Sequence, residues 1–179
     1  MTEADPIRRV CFIGLGKMGW PMAAQVTGAG YKVAPVDVAE GAADRFAKEF
    51  GGELFASASE AAAQADAVIT ILPTSKQVTE VAEAIRPALR PGTIIIEMSS
   101  GVPSITQKLA GQMAEIGVTL VDAPVSGGVA RAKSGDLAIM VGGDPGTIGI
   151  VEPLLKTMGT TIVRVGSTGA GQEIGRAHV

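Results

Sequence analysis

Several residue types are scarce in this chain of 179 residues, and each scarcity closes off a class of function. There is one cysteine, Cys11, so no internal disulfide can form. It sits in an apolar run, where its simplest role is that of a small buried hydrophobe. The one histidine, His178, lies next to the end, and together with a lone cysteine it leaves a metal without a ligand set. Aromatic residues make up 3%, the net charge is −3, and Lys and Arg never run longer than a pair. A nucleic-acid binder needs a basic stripe or stacking aromatics, and neither is visible. No apolar run reaches the ~18 residues that would suggest a membrane span. Residues 1–9 lack the apolar core of a secretory signal. The expectation is a cytoplasmic protein that binds neither membrane nor nucleic acid.

Hydrophobic residues are plentiful at 46%, enough for one well-buried domain and the start of a second. They fall in short runs separated by helical patterns. Strands are expected at 7–13, 32–36, 67–72, 93–98, 119–123, 135–143 and 161–165. Helices are expected at 18–29, 40–50, 59–64, 75–88, 103–115 and 145–158, with Gly30 stopping the first. Pro35 falls inside the second strand, where it predicts a bulge or local bend. Alternation of this kind predicts an α/β doubly wound domain, a Rossmann-like arrangement around a mostly parallel sheet.

Open sheets of this type bind ligands at the carboxyl ends of their strands. Small, polar and turn-forming residues collect there: Gly14, Leu15 and Gly16 after the first strand, Asp37 after the second, Pro73, Thr74 and Ser75 after the third. Ser99, Ser100 and Gly101 follow the fourth. The first group opens the motif GLGKMG, in which Gly14, Gly16 and Gly19 form G-x-G-x-x-G. Gly14 permits a sharp turn, Gly16 lets backbone approach a pyrophosphate, and Gly19 lets the helix pack closely on the sheet. The helix N-terminus then offers free N–H groups to phosphates. Asp37, eighteen residues after Gly19, can accept hydrogen bonds from both ribose hydroxyls. It would repel a 2′-phosphate, so NAD is expected in preference to NADP.

The fifth strand runs into DAPVSGG at 122–128. A Ser-Gly-Gly turn exposes donors that can converge on an anion, yet Ser and Gly also dominate ordinary tight turns. Asp122 can be read as a catalytic acid, or as an acceptor of backbone hydrogen bonds that fixes the loop carrying Ser126. Arg131 and Lys133 read as solvated surface rather than anion ligands.

The segments FIGLGKMGWPMA, IIIEMSS (94–100), DAPVSGG, GDLAIMVGG (135–143) and GSTGAGQ (166–172) together resemble the β-hydroxyacid dehydrogenases, the group containing 3-hydroxyisobutyrate dehydrogenase and tartronate semialdehyde reductase. DAPVSGG is the more specific signature, and the resemblance covers about residues 7–172. It implies that Gly14, Leu15, Gly16, Lys17, Met18, Gly19 and Asp37 hold the adenosine and pyrophosphate of NAD. Leu72 and Pro73 would line the cofactor cleft, with Ser100 near the nicotinamide ribose. Ser126, Gly127 and Gly128 would bind the carboxylate of a small hydroxyacid or semialdehyde. In the family, a lysine three residues after the glutamine of the GAGQ-like segment manages the hydroxyl proton. It begins a helix leading to an all-helical second domain that supplies most of the homo-oligomer contact.

Here Gly175 stands at the lysine position, so no catalytic residue is assigned. The expected organisation is an NAD-binding domain over 1–166, the start of an interdomain catalytic segment over 167–172, and a non-native tail over 173–179. One back-translation of the tail resembles a sequencing-adapter read, so a fragment is expected, and without the lysine and the second domain it is expected to lack turnover. Two other functions compete: an NAD-binding sensor without turnover, and an imine reductase or 6-phosphogluconate dehydrogenase-like enzyme. DAPVSGG favours a small hydroxyacid over both.

Overall fold

The computed structural model describes residues 6–177; His178 lies outside the described residues. The first five strands are β1 (Arg9–Ile13), β2 (Lys32–Val36), β3 (Ala67–Thr70), β4 (Ile94–Glu97) and β5 (Thr119–Asp122). All pair in parallel, in the order β2-β1-β3-β4-β5. Helices α1 (Gly19–Gly28), α2 (Ala42–Phe50), α3 (Ala58–Ala63), α4 (Ser75–Ile85) and α5 (Pro103–Ala114) fill the connections. Alternate residues of one strand serve opposite faces. Val10 and Phe12 pack with Met22, Val26 and Phe46 on one side. Cys11 and Ile13 pack with Val78, Ile85, Leu109 and Met113 on the other. Both faces are therefore covered, which explains why the strands read as unbroken apolar runs. Burial pushes the Cys11 thiol up to about 12, so it is chemically quiet.

The parallel pattern stops at β5. A two-residue strand β6 (Val125–Ser126) and a short helix α6 (Gly128–Ser134) follow, neither of which the sequence reading separated from the loop. The signal for α6 was the pair of bases Arg131 and Lys133 followed by Gly135, which closes the helix at φ 70°. The next strand, β7 (Leu137–Gly142), runs antiparallel to β5 and β6 and parallel to β8 (Gly159–Gly166). Helix α7 (Pro145–Leu155) joins those two, and α8 (Ala170–Ala177) ends the described chain. The segment from 173 to 177 thus continues a helix.

Two local expectations are corrected. No bulge occurs at Pro35, because β2 pairs with β1 in unbroken register from Lys32 to Val36. β2 is an edge strand, and the Lys32 N–H donates to the carbonyl of Arg8, just before β1. By parity the nitrogen of Pro35 faces away from β1, toward the Gly52–Glu53 segment that donates to the Val33 carbonyl, so its missing N–H breaks no ladder bond to β1. The helix expected over 75–88 ends at Ile85 and tightens into a 3-10 turn at Arg86–Ala88, since Pro87 cannot supply the next helical N–H.

Candidate active site

The order β2-β1-β3 places a topological switch between β1 and β3, where chain leaving the two strands diverges and opens a crevice. A cleft of about 420 Å³ lies there, lined by Gly14, Gly16, Lys17, Met18, Gly19, Asp37, Leu72 and Pro73, together with Val38, Ile71 and Gln77. The last three escaped the sequence reading. Val38 is fully exposed at the mouth, and Gln77 closes the capping box of α4 with Thr74.

Each glycine of the motif has a distinct geometric duty. Gly14 adopts φ 111°, and a side chain there would run into the carbonyl of Ile71. A Cβ on Gly19 would overlap the carbonyl oxygen of Gly14, so α1 can approach the strand end only without one. A Cβ on Gly16 would meet nothing within 4 Å. No neighbour demands that glycine; the open space in front of it suits a ligand. α1 begins without a side-chain cap; the Trp20 N–H is taken by the Gly16 carbonyl at 3.0 Å and Pro21 has none, which leaves the Gly19 N–H open at the helix start.

Asp37 is half-buried and already engaged. Its carboxylate accepts from the Leu15 N–H at 2.6 Å and the Ala39 N–H at 2.7 Å. Each oxygen keeps a further acceptor site, so the group can still take two hydroxyls. Leu15 itself is buried and reaches the site through this bond. Trp20, Phe46 and Phe50 pack as a cluster with ring centroids 5.0–6.0 Å apart, holding α2 against α1 behind the Asp37 turn.

Ser100 is exposed on the loop after β4 and does not line this cleft. Ser126, Gly127 and Gly128 form an exposed turn at the start of α6, with φ 133° and 72° at the two glycines. Any Cβ at Gly127 would press on the Arg131 side chain, 2.7 Å from its Cδ, so the Arg131 stem lies against this turn. Arg131 and Lys133 are exposed, as surface charges should be.

Asp122 corrects an expectation. It is fully buried, and it does accept backbone hydrogen bonds, but from Gly169 and Gln172, both at 2.8 Å. It fixes the root of α8 rather than the loop carrying Ser126. The glycines around it make this possible. A Cβ on Gly171 would fall 2.6 Å from the Met140 carbonyl and 2.9 Å from Asp122, so α8 sits directly on the sheet end. Burial raises the Asp122 carboxyl above its ordinary range, against the pull of those N–H donors.

A second buried acid, Glu97, had no part in the sequence reading. It receives the Ser99 N–H at 2.8 Å, the Thr70 hydroxyl at 3.2 Å and the Gln172 side-chain amide at 3.3 Å. Burial pushes its carboxyl up to about 7, with the nearby charge of Asp122 adding to the rise and the donors opposing it. The signal available was the glutamate closing the apolar strand IIIE, a position where nothing but a built polar network tolerates an acid.

A family profile described as the NAD binding domain of 6-phosphogluconate dehydrogenase matches residues 9–166. The chain belongs to that family. It is 40% identical over 166 residues to mitochondrial 3-hydroxyisobutyrate dehydrogenase of Mus musculus, covering 91% of this chain and 49% of the relative. It is 37% identical over 169 residues to the NAD-dependent L-serine dehydrogenase of Pseudomonas aeruginosa, covering 93% and 56%. Among solved structures it is similar to 3-hydroxyisobutyrate dehydrogenase of Mycobacterium tuberculosis with L-serine, at TM-score 0.92 and 39% identity, covering 96% of this chain and 59% of that one. The chain thus spans about half the length of the curated relatives it matches. The resemblance to β-hydroxyacid dehydrogenases holds, and so does the Rossmann-like fold. No described helix is long and apolar enough to cross a membrane.

Proposed function

We propose that this chain is the cofactor-binding part of an NAD-dependent dehydrogenase of small hydroxyacids, in the manner of 3-hydroxyisobutyrate or L-serine dehydrogenases. The observation that carries the reading is the convergence of the Gly14, Gly16 and Gly19 turn, Asp37, Leu72 and Pro73 on one cleft at the switch between β1 and β3. The residues fit the cofactor. Gly16 and the open Gly19 N–H at the start of α1 take the pyrophosphate, the free acceptor sites of Asp37 take the adenosine ribose, and Leu72 and Pro73 bound the nicotinamide side. Bound NAD supplies the hydride acceptor, or in reduced form the donor. A carboxylate at Asp37 disfavours a 2′-phosphate, which supports NAD over NADP.

Ser126, Gly127 and Gly128 orient the substrate carboxylate through a hydroxyl and backbone N–H groups, and the family resemblance sets Ser100, on the loop after β4 outside the cleft lining, near the nicotinamide ribose. Among the described residues, the family position for the group that holds the substrate's hydroxyl proton carries no such group. Gly175, at the position where the family resemblance places a lysine, is buried, and a Cβ there would point at Pro124, 3.1 Å from its Cγ. That direction leads toward the turn carrying Ser126, which supports the placement. Losing a general acid/base costs about 10²–10⁴-fold in rate, so the chain binds cofactor without useful turnover.

The test of the whole reading pairs calorimetry with NADH and NADPH against an NADH-coupled assay on small hydroxyacids and their semialdehydes. Tighter NADH binding with no turnover is expected. Equal or tighter NADPH binding refutes the cofactor preference, and turnover on the order of 1 s⁻¹ or more shows that the proton-handling group lies elsewhere. A sensor without substrate would leave the DAPVSGG turn without purpose; saturable protection of that turn by a hydroxyacid in the NADH complex separates the two.

A further inference from the structure

The polar groups buried between β4, β5 and α8 form one connected path that ends at the cofactor cleft. The Leu72 N–H, on the cleft lip, donates to the Ser99 hydroxyl at 2.8 Å. The carbonyl of the same Ser99 accepts from the Gln172 side-chain amide at 2.7 Å. Gln172 uses its other end as well: its Oε1 accepts from the Gly101 N–H at 2.7 Å. One side chain thus brackets the loop that carries Ser100, donating on one flank and accepting on the other. The backbone N–H of Gln172 is held in turn by Asp122 at 2.8 Å. Glu97 lies beneath, receiving the Ser99 N–H and the Gln172 amide. Ser99, Glu97, Asp122 and Gln172 are each at most 2% exposed.

Buried networks of this kind are strong when every member is satisfied and fail when one is not. Here the members come from four places in the chain: the end of β3, the end of β4, the end of β5 and the root of α8. Only one residue, Ser99, separates Leu72 of the lip from Gln172. If the root of α8 lifts from Asp122, Gln172 withdraws from both sides of the loop, and Ser99 loses a hydrogen bond that orients it toward Leu72. Disturbing the lip has the reverse effect.

We propose that Gln172 and Ser99 are positioning residues that couple cofactor binding at the Leu72 lip to docking of the α8 root on the sheet. Binding at the lip and docking at residues 169–172 reinforce each other, and by linkage the reinforcement is mutual. The proposal rests on the cofactor reading above and adds a direction of communication toward the very segment that bears Gly175.

The experiment is hydrogen exchange on the full chain, with and without saturating NADH, in the unmodified protein, Gln172→Met, Ser99→Ala and Ser99→Thr. Methionine keeps the length of glutamine but can neither bracket the loop nor donate to Ser99. In the unmodified chain NADH should slow exchange of the Gly169 and Gln172 amides at least several-fold. In Gln172→Met and Ser99→Ala that remote slowing should vanish and the Kd for NADH should rise several-fold, while Ser99→Thr, which keeps the hydroxyl, should restore both. If Gln172→Met does not fold, Ser99→Ala cuts the same path from its other end. NADH binding with no change at residues 169–172, or an unchanged Kd in both cut variants, overturns the coupling. Absence of any NADH heat in the unmodified chain overturns the cofactor reading itself, and the coupling with it.

Discussion

Glu97 offers the sharpest quantitative test, because its carboxyl is buried without a cation. Its ionisation is moved from an ordinary 4.5 to about 7, and the largest cause is loss of water around the charge. At about 1.4 kcal/mol for each tenfold change in proton affinity, that displacement makes the folded state carry a cost of about 3 kcal/mol once Glu97 is ionised. The sign follows from which state holds the proton. Below pH 4.5 Glu97 is protonated in both folded and unfolded chains and costs nothing. Between 4.5 and about 7 the unfolded chain releases the proton while the folded chain keeps it, so stability falls as pH rises. Above about 7 both are ionised and the whole cost is present.

Glu97→Gln removes this titration and leaves a side chain of the same length that can still accept from Thr70 or Ser99. Its amide also meets donors, so an offset between the two proteins at low pH is expected and carries no weight. What matters is how the difference changes. Urea unfolding of both proteins at pH 4.5, 5.5, 6.5 and 7.5 should show the variant gaining on the parent by about 3 kcal/mol across the range. Asp122, also raised by burial, is common to both. Parallel stability curves over this window would refute the argument, since they would mean that Glu97 titrates alike in the folded and unfolded chains.

Gly16 and Gly19 should separate fold from ligand: Gly19→Ala, driving a Cβ into the Gly14 carbonyl, should cost about 1–3 kcal/mol in denaturant melts, whereas Gly16→Ala, facing open space, should change stability by no more than ~0.5 kcal/mol yet weaken NADH binding by about tenfold or more. Asp37→Ala should weaken NAD and narrow its advantage over NADP, read by calorimetry with both. Because the same carboxylate holds the Leu15 and Ala39 N–H groups, that variant should also speed amide exchange at both positions, while Asp37→Asn should keep part of the protection.

The parts of this molecule that were legible beforehand are those where local chemistry and sequence order coincide. The turn at Gly14, the stop at Gly30 and the apolar strands each follow from backbone freedom or from burial on two faces, and all are found. The strand ends could be ranked as a site because a doubly wound sheet gathers them on one edge. Pro35 shows the limit of such reasoning. Proline in a strand permits either a bulge or an outward-facing nitrogen, and only the knowledge that β2 is the edge chooses between them. The antiparallel turn of β7 was likewise invisible, since a strand's own residues do not state its direction.

Asp122 and Glu97 were misread or missed for a different reason. Their partners lie far off in sequence, 47 and 50 residues on for Asp122 and 75 for the contact of Glu97 with Gln172. No window of neighbouring residues contains those pairs. What the sequence does contain is the set of glycines that lets them meet. Gly142 and Gly171 admit a side chain at neither position: a Cβ on Gly142 would lie 2.7 Å from the Ser167 carbonyl and 2.9 Å from the Gly171 nitrogen. The VGG (141–143) and GAGQ (169–172) segments, which look like flexible turns, are here the two sides of a contact too close for any side chain. Through it the last helix reaches the carboxylate of Asp122, and through Gln172 the loop of Ser99. Gly16 meets open space inside the cleft and so can face a ligand; glycines that meet backbone, as these do, point to a joint in the fold. That distinction exists only in the folded chain, and it assigns the residues near 142 and 171 to holding the site together rather than to binding.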